Sequence, residues 1–187
     1  PVASSPGSPP SGTGGRAPNG AVMRALPVAL ATRGSPRNLV AGTWHTAALT
    51  HPDDRCTWSA VAVNVAAAEL LVGRRDFLAD VIEVLRVNEA PPELLAAVRR
   101  VPLERREDLP ILGERAWDAV SCAEIALWAA WHEPDLEQAL IWLANAGGDT
   151  DTNAAVAGGL LGARDGEAAV PPRWVAALPE VDRLRDL

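Results

Sequence analysis

The run Asn145-Ala146-Gly147-Gly148-Asp149-Thr150-Asp151-Thr152-Asn153 sets two carboxylates and two hydroxyls at the entrance of a helix, directly behind paired glycines. Upstream, Asp135 to Leu143 has helical apolar spacing, with Asp135 as N-cap and Gln138 placed to reach back as in a capping box. Gly147 and Gly148 therefore end one helix, and the acids open the next. The segment from Ala154 to Ala163 is helical in composition but rich in glycine, and Asp151, Ala155, Gly158, Gly159 and Gly162 fall on one face of it. Each interior glycine costs roughly 1 kcal/mol relative to alanine, so a close approach of backbone or ligand has to offset the loss. The spacing thus predicts an acid pair at the mouth of a helix shaped for close contact.

Carboxylate and hydroxyl oxygens are the donor set of Mg²⁺ or Mn²⁺, hard cations that take near-octahedral oxygen ligands and keep several waters. Zinc has no comparable set, because Cys56 and Cys122 are far apart and His45, His51 and His132 show no ligand spacing. The bland alternative is that Asp149 or Thr150 only caps the helix while Asp151 complements its dipole.

Working outward, every apolar stretch has helical period and none alternates as a half-buried strand would, which predicts an all-α domain. Helices are expected near 20–31, 36–50, 53–73, 76–87, 91–101, 117–131, 135–146, 152–163 and 172–178. Residues 1–18, dense in proline, glycine and serine, read as a disordered arm, and residues 19–187 as one helical domain. The segment Pro102 to Gly113, with Glu104-Arg105-Arg106-Glu107-Asp108, reads as a solvated loop. Glu124 is charged among apolar neighbours, and is either on a solvent face or a supporting partner of a metal site. The seven tryptophans look like core packing rather than a stacking surface.

A net charge of −7 with no lysine leaves no basic stripe for a phosphate backbone, so a nucleic-acid partner is not expected. The most apolar run, Trp58 to Gly73, is interrupted by Ser59, Asn64 and Glu69 and is too short to span a bilayer, so no membrane partner is expected either. Two cysteines make no disulfide framework and no secretory pattern is visible, which points to the cytoplasm.

Gly-Gly-Asp-Thr-Asp-Thr and its continuation through Gly166 resemble the carboxy-terminal signature of the ADP-ribosylglycohydrolase family, the group that includes dinitrogenase-reductase-activating glycohydrolase. Asn19-Gly20-Ala21-Val22-Met23-Arg24 is similar to the family's Asn-Gly-Ala-x-Met-Arg segment, and Thr50-His51-Pro52-Asp53 to its Thr-His-x-Asp segment. The resemblance implies an orthogonal helix bundle around a two-magnesium cleft that binds ADP-ribose and hydrolyses its bond to a protein side chain. Carried over by position, Asp149, Asp151 and Thr152 match metal ligands, the two acids being the catalytic candidates. Gly15, Asn19, Gly20 and His51 match residues that line the ADP-ribose pocket. ADP-ribose or an ADP-ribosylated protein is the implied partner, and Mg²⁺ (or Mn²⁺) the implied cofactor.

Two departures qualify the resemblance. Arg16-Ala17-Pro18 stands where members often carry Ser-x-Gly, and nothing before Gly15 resembles the family's Gly-Asp-x-x-Gly or Thr/Ser-Asp-Asp segments. The chain therefore reads as the carboxy-terminal portion of the family architecture, without its amino-terminal half, and unaided hydrolysis is not expected of it. The alternatives are a catalytically inactive ADP-ribose-binding or helical interaction module, and a metal-dependent phosphohydrolase that leaves the Asn-Gly-Ala-x-Met-Arg segment unexplained.

Overall fold

The computed structural model describes residues 15–32 and 34–186, and among them every regular element is helical. A 3₁₀ segment, Asn19–Arg24, leads into α1 (Leu26–Thr32), α2 (Pro36–Ala48), α3 (Asp54–Leu71), α4 (Phe77–Val87) and α5 (Pro92–Arg100). After a long loop come α6 (Ala119–His132), α7 (Leu136–Asn145), α8 (Thr150–Asp165) and the short α9 (Pro172–Val175) and α10 (Val181–Arg185). The expected all-α class is the observed one.

Two helices form the centre because neither has a polar face. In α3 every residue from Cys56 to Ala68 is buried, and in α6 every residue from Ala119 to Ala130. A helix apolar all round is stable only when other helices cover it. Here α2, α4, α6 and α8 pack on α3, and α3, α5 and α8 on α6. Helix starts are fixed by side chains that accept orphan N–H groups. Ser35 accepts from Asn38 N (3.4 Å), Asp53 from Arg55 N (2.9 Å), Asp118 from Val120 N (3.0 Å) and Asp135 from Gln138 N (2.7 Å).

Three expectations are modified. The helix expected over 20–31 is divided, because Pro27 has no N–H and its ring would clash with the carbonyl one turn earlier in a continuous α-helix; the chain turns in 3₁₀ geometry to Arg24 and restarts at Leu26. Ala17 and Pro18, read as arm, are built into the fold: Ala17 is buried, its carbonyl accepts Ala119 N (2.7 Å), and Pro18 forms an antiparallel bridge with Asp118. Arm residues 1–14 lie outside the described residues. The loop 102–113 is not uniformly solvated, since Leu109 and Ile111 are buried.

Of the tryptophans, 44, 58, 128, 131, 142 and 174 pack into the hydrophobic clusters, whereas Trp117 is 51% exposed. No helix among the described residues is long and apolar enough to cross a membrane.

Candidate functional site

The starts of α3, α6 and α8 converge on Ala17 and Pro18 and on Asn19, where the 3₁₀ segment begins. Asn19 N donates to Trp117 O (3.1 Å), just ahead of α6, and Cys56 Sγ of α3 donates to Pro18 O (3.3 Å). Held there, Asn19 turns its side chain to α8, where Nδ2 donates to Asp149 Oδ2 at 2.6 Å in a buried contact.

Asp149 occupies the N-cap position of α8, yet its side chain makes no capping bond. An aspartate at this position ordinarily accepts from the first helical turn. Here the residue is 8% exposed and its carboxylate is engaged by Asn19 instead. Its direction is set by the preceding turn. Gly147 and Gly148 have φ of +84° and +66°, and a Cβ on Gly148 would overlap the carbonyl oxygen of Ile111. Only glycine combines that backbone conformation with so close an approach.

Asp151 lies exposed in the first turn of α8. A hydrogen bond with the Asp149 carboxyl, and then one from the Thr152 backbone, hold it below the usual carboxylate range. Thr152, next in the chain, is buried. Asn153, not singled out by sequence, is 1% exposed and neither of its amide polar atoms has a hydrogen-bond partner.

This grouping fits a hard cation in the kind of its donors. Two carboxyls two residues apart, with a hydroxyl one residue on, supply oxygen and no nitrogen or sulfur. The number of donors is small: among the described residues no group of three or more His, Cys, Asp and Glu is placed to hold a metal ion. The thiols add none. Burial and the Asp149 charge push Cys122 up to about 12, and burial does the same for Cys56, so neither is a thiolate at neutral pH.

His51 and Gly20 are brought together. The imidazole Nε2 lies 2.7 Å, and Cε1 2.8 Å, from where a Cβ on Gly20 would sit, so the ring fills the space that glycine leaves. Its Nδ1 pairs with Thr50 Oγ1 (2.7 Å), and Arg24 binds that hydroxyl and donates to Thr46 O (3.2 Å). Gly15 is placed differently. It is exposed, and its carbonyl accepts Arg55 Nη2 (2.9 Å), while Arg55 is itself paired with Asp53 (2.7 Å). Arg55 and Asp118 were not singled out by sequence; an aspartate just ahead of an apolar helical run was the available signal for Asp118. Glu124 belongs to neither assignment made for it: it is 0% exposed and bonded to Arg100 on the α5 side. The glycine face of α8 is also partly explained within the chain, since Leu26 occupies the position of a Cβ on Gly159.

Removing the Asn19 amide isolates a nearly buried carboxylate. Asn19→Ala is expected to cost about 1–3 kcal/mol in urea unfolding, and Asn19→Asp more than that, because it sets a second carboxylate against Asp149.

The ADP-ribosylglycohydrolase family model matches residues 2–187. The chain belongs to this family. ADP-ribosylarginine hydrolase Tri1 of Pseudomonas putida (strain GB-1) is 30% identical over 84% of this chain and 41% of its own length. The ADP-ribosyl-dinitrogen reductase glycohydrolase of Rhodospirillum rubrum is 29% identical over 88% of this chain and 51% of its own. The solved structure of an ADP-ribosylglycohydrolase-related protein complex superposes with a TM-score of 0.77 at 29% identity, covering 91% of this chain and 58% of that one. This ADP-ribosylglycohydrolase family chain spans about half the length of the curated relatives it matches.

Proposed function

We propose that this chain contributes to the hydrolysis of ADP-ribose from ADP-ribosylated protein side chains, at a site where Asp149, Asp151 and Thr152 hold Mg²⁺ or Mn²⁺. The observation that carries this reading is the Asp149 carboxylate, which gives up the capping bond its position offers and is held by Asn19 beside Asp151.

Each residue has a part in the proposed site. Asn19 fixes one oxygen of Asp149, leaving the other for a cation. Asp151, exposed and ionised, completes the charge, and Thr152 adds a neutral oxygen. Gly20, next to Asn19, admits the His51 ring against its backbone, and His51, oriented through Thr50, holds Nε2 there, beside the segment proposed to line the ADP-ribose pocket. Arg55 steadies the backbone at Gly15. Asp149, Asp151 and Thr152 would hold the cation, whose chemistry there would be to stabilise charge that develops at the glycosidic bond and to acidify water. Three oxygen donors do not fill an octahedral shell, so the remaining ligands come from beyond this group, as the amino-terminal half of the family architecture would supply them. The two free, buried cysteines suit a reducing compartment such as the cytoplasm.

The test is release of free ADP-ribose from an ADP-ribosylated protein by this chain, by an amino-terminal family half carrying the Thr/Ser-Asp-Asp segment, and by the two together. Negligible release by either and clear release by the pair is the expected result, since a two-sided cleft orients its reactants only when both sides are present. ADP-ribose binding without release by the pair would favour a binding module instead.

A further inference from the structure

The loop that follows α5 is attached at two places. At its far end it supports the turn that carries Asp149: the Ile111 carbonyl lies where a Cβ on Gly148 would be, and Leu112 Cδ2 is 3.0 Å from the corresponding position on Gly147. At its near end it is held to α6 and α7. Trp128 Nε1 donates to Glu104 O (2.9 Å), while Arg106 bonds Glu133 and stacks with its guanidinium carbon 4.6 Å from the Trp142 ring centroid.

Between these contacts lies a buried acid pair. Glu124 of α6 is wholly buried, and the Glu104 side chain of the loop is 10% exposed. One arginine serves both: Arg100 bonds Glu124 Oε1, and its Nε is 3.9 Å from Glu104 Oε1. The Oε2 atom of each glutamate is buried with no hydrogen-bond partner. Two ionised carboxylates against one guanidinium would leave a buried excess negative charge and two unsatisfied oxygens, each costly. A single proton between the two Oε2 atoms removes both costs.

We propose that Glu104 and Glu124 share one proton and so latch the loop 101–113 onto α6, and that loss of this proton loosens the brace which the same loop places on Gly148 and the Asp149 turn. The latch stands on these contacts alone; its consequence for a cation rests on the function proposed above. Burial, and then the charge of Glu104, push Glu124 up to about 7, with Arg100 opposing. The charged groups that face Glu124 are Glu104 from the loop and Arg100 from α5. Arg106 is engaged by Glu133, and Arg164 of α8 meets α6 further along, at the carbonyls of Ala130 and Glu133. Because the folded value is raised above the ordinary 4.5, the stabilisation is complete below about pH 4.5, is lost as pH rises through about 7, and changes little above that.

The experiment is amide hydrogen exchange, corrected for intrinsic rates and without added metal, at about pH 5.5 and about pH 8. In the parent, protection of the bonded loop amides of Leu103, Glu104 and Asp108, and of the Asn153 amide that donates to Asp149 O (3.0 Å), should fall about tenfold or more between the two conditions. Glu124→Gln keeps a neutral donor at all pH, so its protection should be equal at both, and Glu104→Gln serves as the second variant if the first does not fold. Equal losses in parent and variant, or no loss in the parent, would overturn the latch. A pH-dependent loop with an unchanged Asn153 amide would overturn its connection to the site. Exchange is read without cation or substrate, so failure of the proposed hydrolase function leaves these outcomes unaltered.

Discussion

Replacing Asp149 and Asp151 together by alanine is expected to abolish calorimetrically detectable Mg²⁺ and Mn²⁺ binding. Binding by the unsubstituted chain should itself be weak, because two carboxylates and one hydroxyl are a partial shell. The same variant separates a cation site from a helix cap. If the acids only capped α8, their loss would leave metal binding unchanged and destabilise the chain by about 0.5–2 kcal/mol. Losing Asp149 also leaves the buried Asn19 amide without its acceptor, so metal-free stability should fall by about 1–3 kcal/mol on either reading, and metal binding is the quantity that separates them. Differential scanning calorimetry with and without Mn²⁺ measures both quantities on one sample.

Gly148→Ala carries the other large effect. The residue has φ +66°, which costs a non-glycine residue about 1 kcal/mol, and the new methyl group would overlap the Ile111 carbonyl, part of a backbone that the Leu109 and Ile111 side chains anchor in the core. Overpacking of this kind adds about 1–3 kcal/mol, so a total loss of about 2–4 kcal/mol is expected in urea unfolding. Gly113→Ala is the matched control: its φ is +85°, but nothing lies within 4 Å of the added Cβ, so it should show the conformational cost alone. Equal losses for the two would mean that Ile111 does not brace the turn.

Sequence carried the fold because helical period, glycine and proline leave little choice where caps are explicit. Ser35-Pro36, Asp53 and Asp135 open helices where their side chains can accept backbone N–H groups, and each does. The division of the first helix was legible in Pro27, whose ring excludes a continuous α-helix whatever the apolar spacing around it.

The site was legible in part. The run Gly148 to Thr152 announced acids at a helix entrance, but not the direction of the Asp149 side chain, which depends on Asn19 being carried to it across 130 residues. That placement comes from backbone bonds of Ala17 and Asn19 to the start of α6 and the residue pair before it, which have no side-chain pattern to reveal them. Glu124 shows the opposite difficulty. A lone acid on an apolar helix reads equally as surface or as site, and its actual partners, Arg100 and Glu104, come from another helix and from a loop whose charge run suggested solvent.

The metal dependence of ADP-ribose release bears most directly on the proposed site. Release would be followed from an ADP-ribosylated protein by this chain paired with an amino-terminal family half, first after chelation and then on adding Mg²⁺ or Mn²⁺, with Asp151→Ala in parallel. Expected are loss of release on chelation, recovery with either cation, and no recovery for Asp151→Ala; release that survives chelation, or that Asp151→Ala supports as well as the parent, would contradict a cation site at Asp149, Asp151 and Thr152.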